Sequence, residues 1–198
     1  GLRAVAVDTD PTRRGLDSVG LRDATLGTAD RMAAAVAVGE GIDRLPEGSD
    51  IANVLVVGMG ASGAVGDVLR AVGELFLPVP VVVAKGYDAP SFAGPDTLVV
   101  AVSQSGDTEE TLQAADEAAT AGGRMLVVSA GGELTGRVDE WGAALAAVPA
   151  DVPAPRTATA TMTVPVLVAL ERMGLFAGAR GWIDAATAQL RRRADQLA

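Results

Sequence analysis

Two short segments hold the residue types that bind an oxyanion without a cationic side chain. In GMGASG, residues 58–63, glycines fall at 58, 60 and 63, and Ser62 adds a hydroxyl. In SQSGDTEETL, residues 103–112, Ser103, Ser105 and Thr108 place three hydroxyls around one turn, with Gly106 relieving the backbone. Glycine lets backbone N–H groups approach a ligand closely, and the start of a helix presents the positive end of its dipole. Each helix terminus contributes about 0.3–1 kcal/mol to a partly exposed anion, and each hydrogen bond to a charged group about 1.5–3 kcal/mol. Several such contacts reach the roughly 4–8 kcal/mol of millimolar to micromolar binding. The candidate anion-binding residues are therefore Gly60, Ser62 and Gly63 with Ser103, Ser105, Gly106 and Thr108.

These residues can act together only if the fold brings the two loops to one place. Continuous apolar runs predict strands at NVLVVG (53–58), VPVVVAKG (79–86), TLVVAVS (97–103) and RMLVVSA (124–130), with a weaker one at ALAAVP (144–149). Helical spacing is expected over 62–76, 108–121, around 133–142, 163–176 and 181–197. Strands that are apolar on both faces, alternating with helices, predict a doubly wound α/β fold: one parallel five-stranded sheet sandwiched by helices. In a flavodoxin-like order of 2-1-3-4-5, strands one and three are neighbours, and ligands bind at the carboxyl ends of such a pair. The two loops follow those two strands, so they are expected to form a single phosphate-sized pocket.

Ahead of the sheet, residues 21–42 read as an amphipathic helix ended by Gly39 and Gly41, and residues 1–20 as an edge strand or ordered tail. The expected division is a packing segment over 1–45, a ligand-binding domain over 46–178 and a C-terminal helix over 179–198.

Composition narrows the function. The formal net charge of -9 argues against nucleic acid or an anionic membrane as partner. The basic run LRRRADQL, 190–197, reads as a helix C-terminus, where positive charge is favourable. With no cysteine there is neither thiol chemistry nor a disulfide. With no histidine, the side chain that titrates unperturbed near neutrality is missing. No apolar run approaches the roughly 18 residues of a membrane span, which together with the absent cysteine leads to a cytoplasmic expectation. The Ala-rich stretch 29–37 leaves apolar surface for a second copy, so a homodimer is expected.

Other readings of the loops stay open. Ser62 and Thr108 can serve simply as helix caps, with Ser103 and Ser105 as turn residues. GMGASG also satisfies the G-x-G-x-x-G pattern of dinucleotide sites. Such a site wants an acidic residue at the end of the second strand, where this chain has Lys85 and Gly86, with Asp88 a poor substitute. No cofactor and no metal are expected.

GMGASGAVGD together with SQSGDTEETL resembles the sugar isomerase (SIS) domain, whose members bind phosphosugars. The first loop, with Met59 and Val65-Gly66-Asp67, is most similar to the N-terminal lobe of bacterial and archaeal bifunctional phosphoglucose/phosphomannose isomerases. A third piece, PAPRTATATMTVPVLVAL at 153–170, resembles that family's Pro-Arg-led segment, which implies Arg156 as the active-site arginine. The chain departs from the pattern at Ala61, usually glycine, and at Asp107, often asparagine. The resemblance implies a hexose 6-phosphate ligand and aldose–ketose isomerisation through an enediolate, with Arg156 supporting the developing charge. It also implies that the catalytic glutamate and the ring-opening histidine come from a second lobe. Within this chain Glu109, Glu110, Glu133 and Glu171 are the carboxylates weighed as base, and none is singled out. The alternative is a module that binds or senses a phosphosugar without converting it.

Overall fold

The computed structural model describes residues 17–152 and 154–197, so the expectation for residues 1–16 lies outside the described residues. Its centre is a fully parallel five-stranded sheet of β1 (Asn53–Val57), β2 (Val81–Ala84), β3 (Thr97–Ser103), β4 (Arg124–Ser129) and β5 (Ala144–Ala147). The strand order is β2-β1-β3-β4-β5. After β2 the chain returns past β1 to place β3 on its other side, with Val57 opposite Ala101. This reversal is the switch point of the sheet, and it opens a crevice at the carboxyl ends of β1 and β3.

Alternate strand residues feed two apolar layers. On one face Val54, Val56, Val100 and Val102 pack with Val65 and Leu69 of α3 (Gly60–Phe76) and Met162 and Leu170 of α6 (Thr159–Arg172). On the other face Leu55, Val57, Val99 and Ala101 meet Ala114, Ala115 and Ala118 of α4 (Glu109–Thr120) and Leu134 of α5 (Gly132–Gly136). Every residue of β3 is buried, as a central strand covered on both sides requires.

The helices depart from the sequence expectation where glycine and threonine intervene. Residues 21–42 form not one helix but α1 (Leu21–Leu26) and α2 (Thr28–Glu40), split at Gly27, a residue with low helix propensity. Gly39 does not end α2. It is buried within it, and a Cβ there would sit 2.6 Å from Val168 Cβ, so it sets the close contact between α2 and α6. Helix α6 begins four residues before its expected start, at Thr159, and within it Thr163 Oγ1 donates to the Thr159 carbonyl at 2.7 Å, satisfying its own hydroxyl inside the helix. α5 is only five residues long, and turns occupy the rest of the expected 133–142 span.

Helix α7 (Ala179–Leu197) packs through Ile183 onto Ala35, Val164 and Val168. Its basic C-terminal stretch is partly neutralised, with Arg191 on Asp30 at 3.0 Å. Among the described residues no helix is long and apolar enough to cross a membrane.

Candidate functional site

The two hydroxyl-bearing loops meet. At the end of β1, Gly58 is buried against β3, and a Cβ there would lie 2.9 Å from the Val102 carbonyl oxygen. Met59 is extended, and Gly60 then turns into α3 with φ +51. Across the switch point the Gln104 N–H donates to Ser62 Oγ at 3.4 Å, joining the loop after β3 to the loop after β1. Gly60, Ser62, Ser105 and Thr108 all line one cavity of 680 Å³.

The remaining expected residues lie behind that surface. Ser103 is buried, 2% exposed, and its Oγ accepts from the Gly106 N–H at 3.1 Å and shares a hydrogen bond with Thr108 Oγ1 at 3.1 Å. It therefore shapes the turn and sets the Thr108 hydroxyl without facing the cavity. Gly63 is buried under the first loop, where a Cβ would come within 2.7 Å of the Gly58 carbonyl oxygen. Gly106 has φ +82, and a Cβ there would collide with the Gly131 backbone.

Neither α3 nor α4 has a side-chain hydrogen bond capping its N-terminus. The Thr108 hydroxyl is turned to Ser103, and Ser62 Oγ accepts from Gln104, so the capping role considered from the sequence is not the one these hydroxyls play. Both helix starts, with their unpaired amides, open toward the same region. Among the described residues, no Asp, Glu, Lys or Arg lines the cavity. The polar groups it offers a ligand are therefore backbone dipoles and hydroxyls.

A third loop, missed from the sequence, completes the wall. Ala130, Gly131 and Gly132 follow β4 and line the cavity. Asp107 faces this loop and not the cavity, its Oδ1 accepting the Glu133 N–H at 2.9 Å. The Leu134 N–H donates to the Gly106 carbonyl at 2.9 Å. The signal was present as a glycine pair directly after a buried strand, with Gly132 at φ +68. Ala150 and Pro155, from the segment after β5, form the remaining wall.

Arg156 stands elsewhere. Pro155 faces the hydroxyl-lined cavity, whereas Arg156, exposed on the short 3₁₀ turn Pro155–Thr157, lines a neighbouring apolar groove of 670 Å³ between α1, α2, α3, α6 and α7. The weighed carboxylates also lie off the cavity wall. Glu133 is paired with Arg137 at 3.0 Å. Glu171 is paired with Arg180 at 3.1 Å, and twelve residues of helix separate it from Thr159, about 18 Å. Glu109 and Glu110 occupy the first turn of α4, where they complement its dipole.

At the end of β2, Lys85 Nζ donates to Asp67 Oδ2 at 2.6 Å, which holds the Asp67 carboxyl below the usual carboxylate range. The ammonium is thus matched by a carboxylate from α3, and the acidic residue of a dinucleotide site is absent there.

The model of the SIS domain matches residues 49–169 of this chain. A bifunctional phosphoglucose/phosphomannose isomerase from Caldicellulosiruptor bescii is 31% identical over 139 residues, covering 70% of this chain and 41% of that protein. One from Thermoplasma acidophilum is 36% identical over 115 residues, covering 58% of this chain and 34% of the relative. The chain thus spans less than half the length of these relatives. Among solved structures, a putative phosphosugar isomerase from Clostridium difficile superposes with a TM-score of 0.65 at 18% identity, over 87% of this chain and 52% of that one. The C-terminal domain of glucosamine-fructose-6-phosphate aminotransferase from Francisella tularensis gives a TM-score of 0.65 at 15% identity, over 87% of this chain and 53% of that one. At such identities the likeness is one of fold. With more than half its length matched by the domain model, and with this sheet order, the chain belongs to the SIS domain family.

Proposed function

We propose that this chain binds a hexose 6-phosphate and serves as the phosphate-anchoring unit of an aldose–ketose isomerase of the phosphoglucose/phosphomannose type, acting in the cytoplasm. The observation that carries the reading is the shared cavity: Ser62 from one loop and Ser105 and Thr108 from the other line it, with Gln104 N joined to Ser62 Oγ at 3.4 Å. The phosphate would accept from these hydroxyls and from the first amides of α3 and α4, with Gly60 permitting close approach. A neutral, dipole-lined cavity suits a dianion in a protein of net charge -9, since no buried cation has to be matched when the site is empty.

Isomerisation moves a proton between C1 and C2 and needs support for the enediolate oxygen. Arg156 is the group this reading assigns to that support. It adjoins Pro155 of the cavity wall and must turn across the Pro155–Thr157 bend to reach a sugar bound there. The base and the ring-opening group lie outside this set, because no carboxylate among the described residues lines the cavity and the sequence has no histidine. The same facts favour the second reading, a domain that binds the phosphosugar and leaves it unchanged.

Titration calorimetry with glucose 6-phosphate, fructose 6-phosphate and glucose tests the anchor. Binding of both phosphates but not of glucose is expected, and equal binding of glucose would defeat it. A coupled assay for conversion between the two phosphates separates the readings: turnover by the isolated chain excludes the pure binding module. A homodimer through the exposed Ala33, Ala34 and Ala37 of α2 belongs to this proposal, and sedimentation at micromolar concentration tests it.

A further inference from the structure

Gln104 occupies an unusual place between the loops. Its backbone N–H points to the glycine loop, at Ser62 Oγ, while its side-chain Nε2 donates to the Pro149 carbonyl at 2.7 Å. A carbonyl only accepts, so the amide nitrogen must face Pro149. Gln104 Oε1, on the other side, is buried without a hydrogen-bond partner among the described residues. The side chain is therefore committed to one bond, made to a segment 45 residues further along the chain.

That segment begins where β5 ends and contributes Ala150 and Pro155 to the cavity wall. Its far end is tied to the first loop, where Thr159 Oγ1 donates to the Ala61 carbonyl at 3.4 Å. Between these tethers the hydrogen bonds of the described residues stay local: Val152 N to Ala150 O, Thr157 N and Oγ1 to Ala154 O, and Ala158 N to Pro155 O. The segment is a strap whose two attachment points are residues of the two hydroxyl loops.

We infer that Gln104 is a positioning residue: its side-chain amide, bonded to the Pro149 carbonyl, sets the strap of residues 149–152 and 154–158 against the anion cavity and so governs how the part of the ligand beyond its phosphate is held. For the ligand this rests on the phosphosugar reading, while the tether itself does not. Inorganic phosphate fills only the anion end of the cavity and depends little on the strap. A hexose 6-phosphate extends toward Ala150 and Pro155 and depends on it.

The test uses the full chain with Gln104→Met and Gln104→Glu, both of similar length and both lacking the N–H donor. Without ligand, trypsin cleavage after the exposed Arg156 is expected to accelerate about tenfold relative to cleavage at the other arginines, as loss of one tether should allow. By calorimetry, the loss of affinity for fructose 6-phosphate should exceed the loss for inorganic phosphate by about tenfold. Unchanged relative cleavage after Arg156 overturns the inference, and so does an equal loss for both ligands. Should the unaltered chain bind neither ligand, the phosphosugar reading fails, and the cleavage comparison alone then decides whether Gln104 holds the strap.

Discussion

Replacing Gly106 by alanine strikes the contact on which the second and third loops both depend. Gly106 has φ +82, and its ideal Cβ would lie 2.7 Å from the Gly131 carbonyl carbon and 2.9 Å from Gly132 Cα, besides colliding with the Gly131 oxygen. All three are main-chain atoms, so no side chain can swing aside. The left-handed conformation costs alanine about 1–2 kcal/mol. Overpacking against backbone adds about 1–3 kcal/mol. The total, roughly 2–5 kcal/mol, is a large share of the about 5–15 kcal/mol that stabilises an ordinary domain. At a urea slope of about 2 kcal/mol/M, the unfolding midpoint falls by roughly 1–2.5 M. Gly136→Ala is the control: nothing lies within 4 Å of its Cβ position, and it sits in a helix, where alanine is favoured. Urea unfolding followed by circular dichroism should show a large loss for Gly106→Ala and none for Gly136→Ala. Equal midpoints for Gly106→Ala and the unaltered protein would refute the claim that these loops touch backbone to backbone.

Ser103→Ala leaves the buried Gly106 N–H without its acceptor, and the protein should lose about 1–3 kcal/mol in the same unfolding assay. Ser105→Ala combined with Thr108→Ala removes two hydroxyls from the cavity wall, and at about 1.5–3 kcal/mol each the affinity for glucose 6-phosphate measured by calorimetry should drop at least a hundredfold. Asp67 has a folded pKa below its unfolded value, chiefly through its hydrogen bond from Lys85, so its stabilising contribution is complete above the unfolded pKa and is lost as pH falls through the folded one. In a carboxyl-detected NMR titration, Lys85→Met should raise the Asp67 pKa toward the ordinary value, and an unmoved midpoint would show that Lys85 is not the cause.

How much was legible from residues alone follows from which interactions are local. The apolar strands and their order could be read because burial on both faces leaves a continuous signature, as in TLVVAVS, and because two glycine- and hydroxyl-bearing loops point to a switch point. Helix limits were less legible where poor helix formers stand inside a helix. α6 runs back to Thr159 through threonines that read as loop, with the Thr163 hydroxyl bonded to the Thr159 carbonyl inside the helix. Gly39 reads as a terminator, but its role is set by Val168, more than a hundred residues away. The same holds at the site. Ser62, Ser105 and Thr108 could be named from spacing, while the tasks of Ser103, Asp107 and Gln104 depend on partners in other loops. The position of Arg156 depends on a bend after Pro155 that turns consecutive residues toward different cavities.

A crystal of this chain soaked in fructose 6-phosphate tests most directly whether the two loops hold one anion. Phosphate density within hydrogen-bonding distance of Ser62 on one side and of Ser105 and Thr108 on the other is the expected result. Density that engages only one loop, or that sits in the apolar groove beside Arg156, would contradict it.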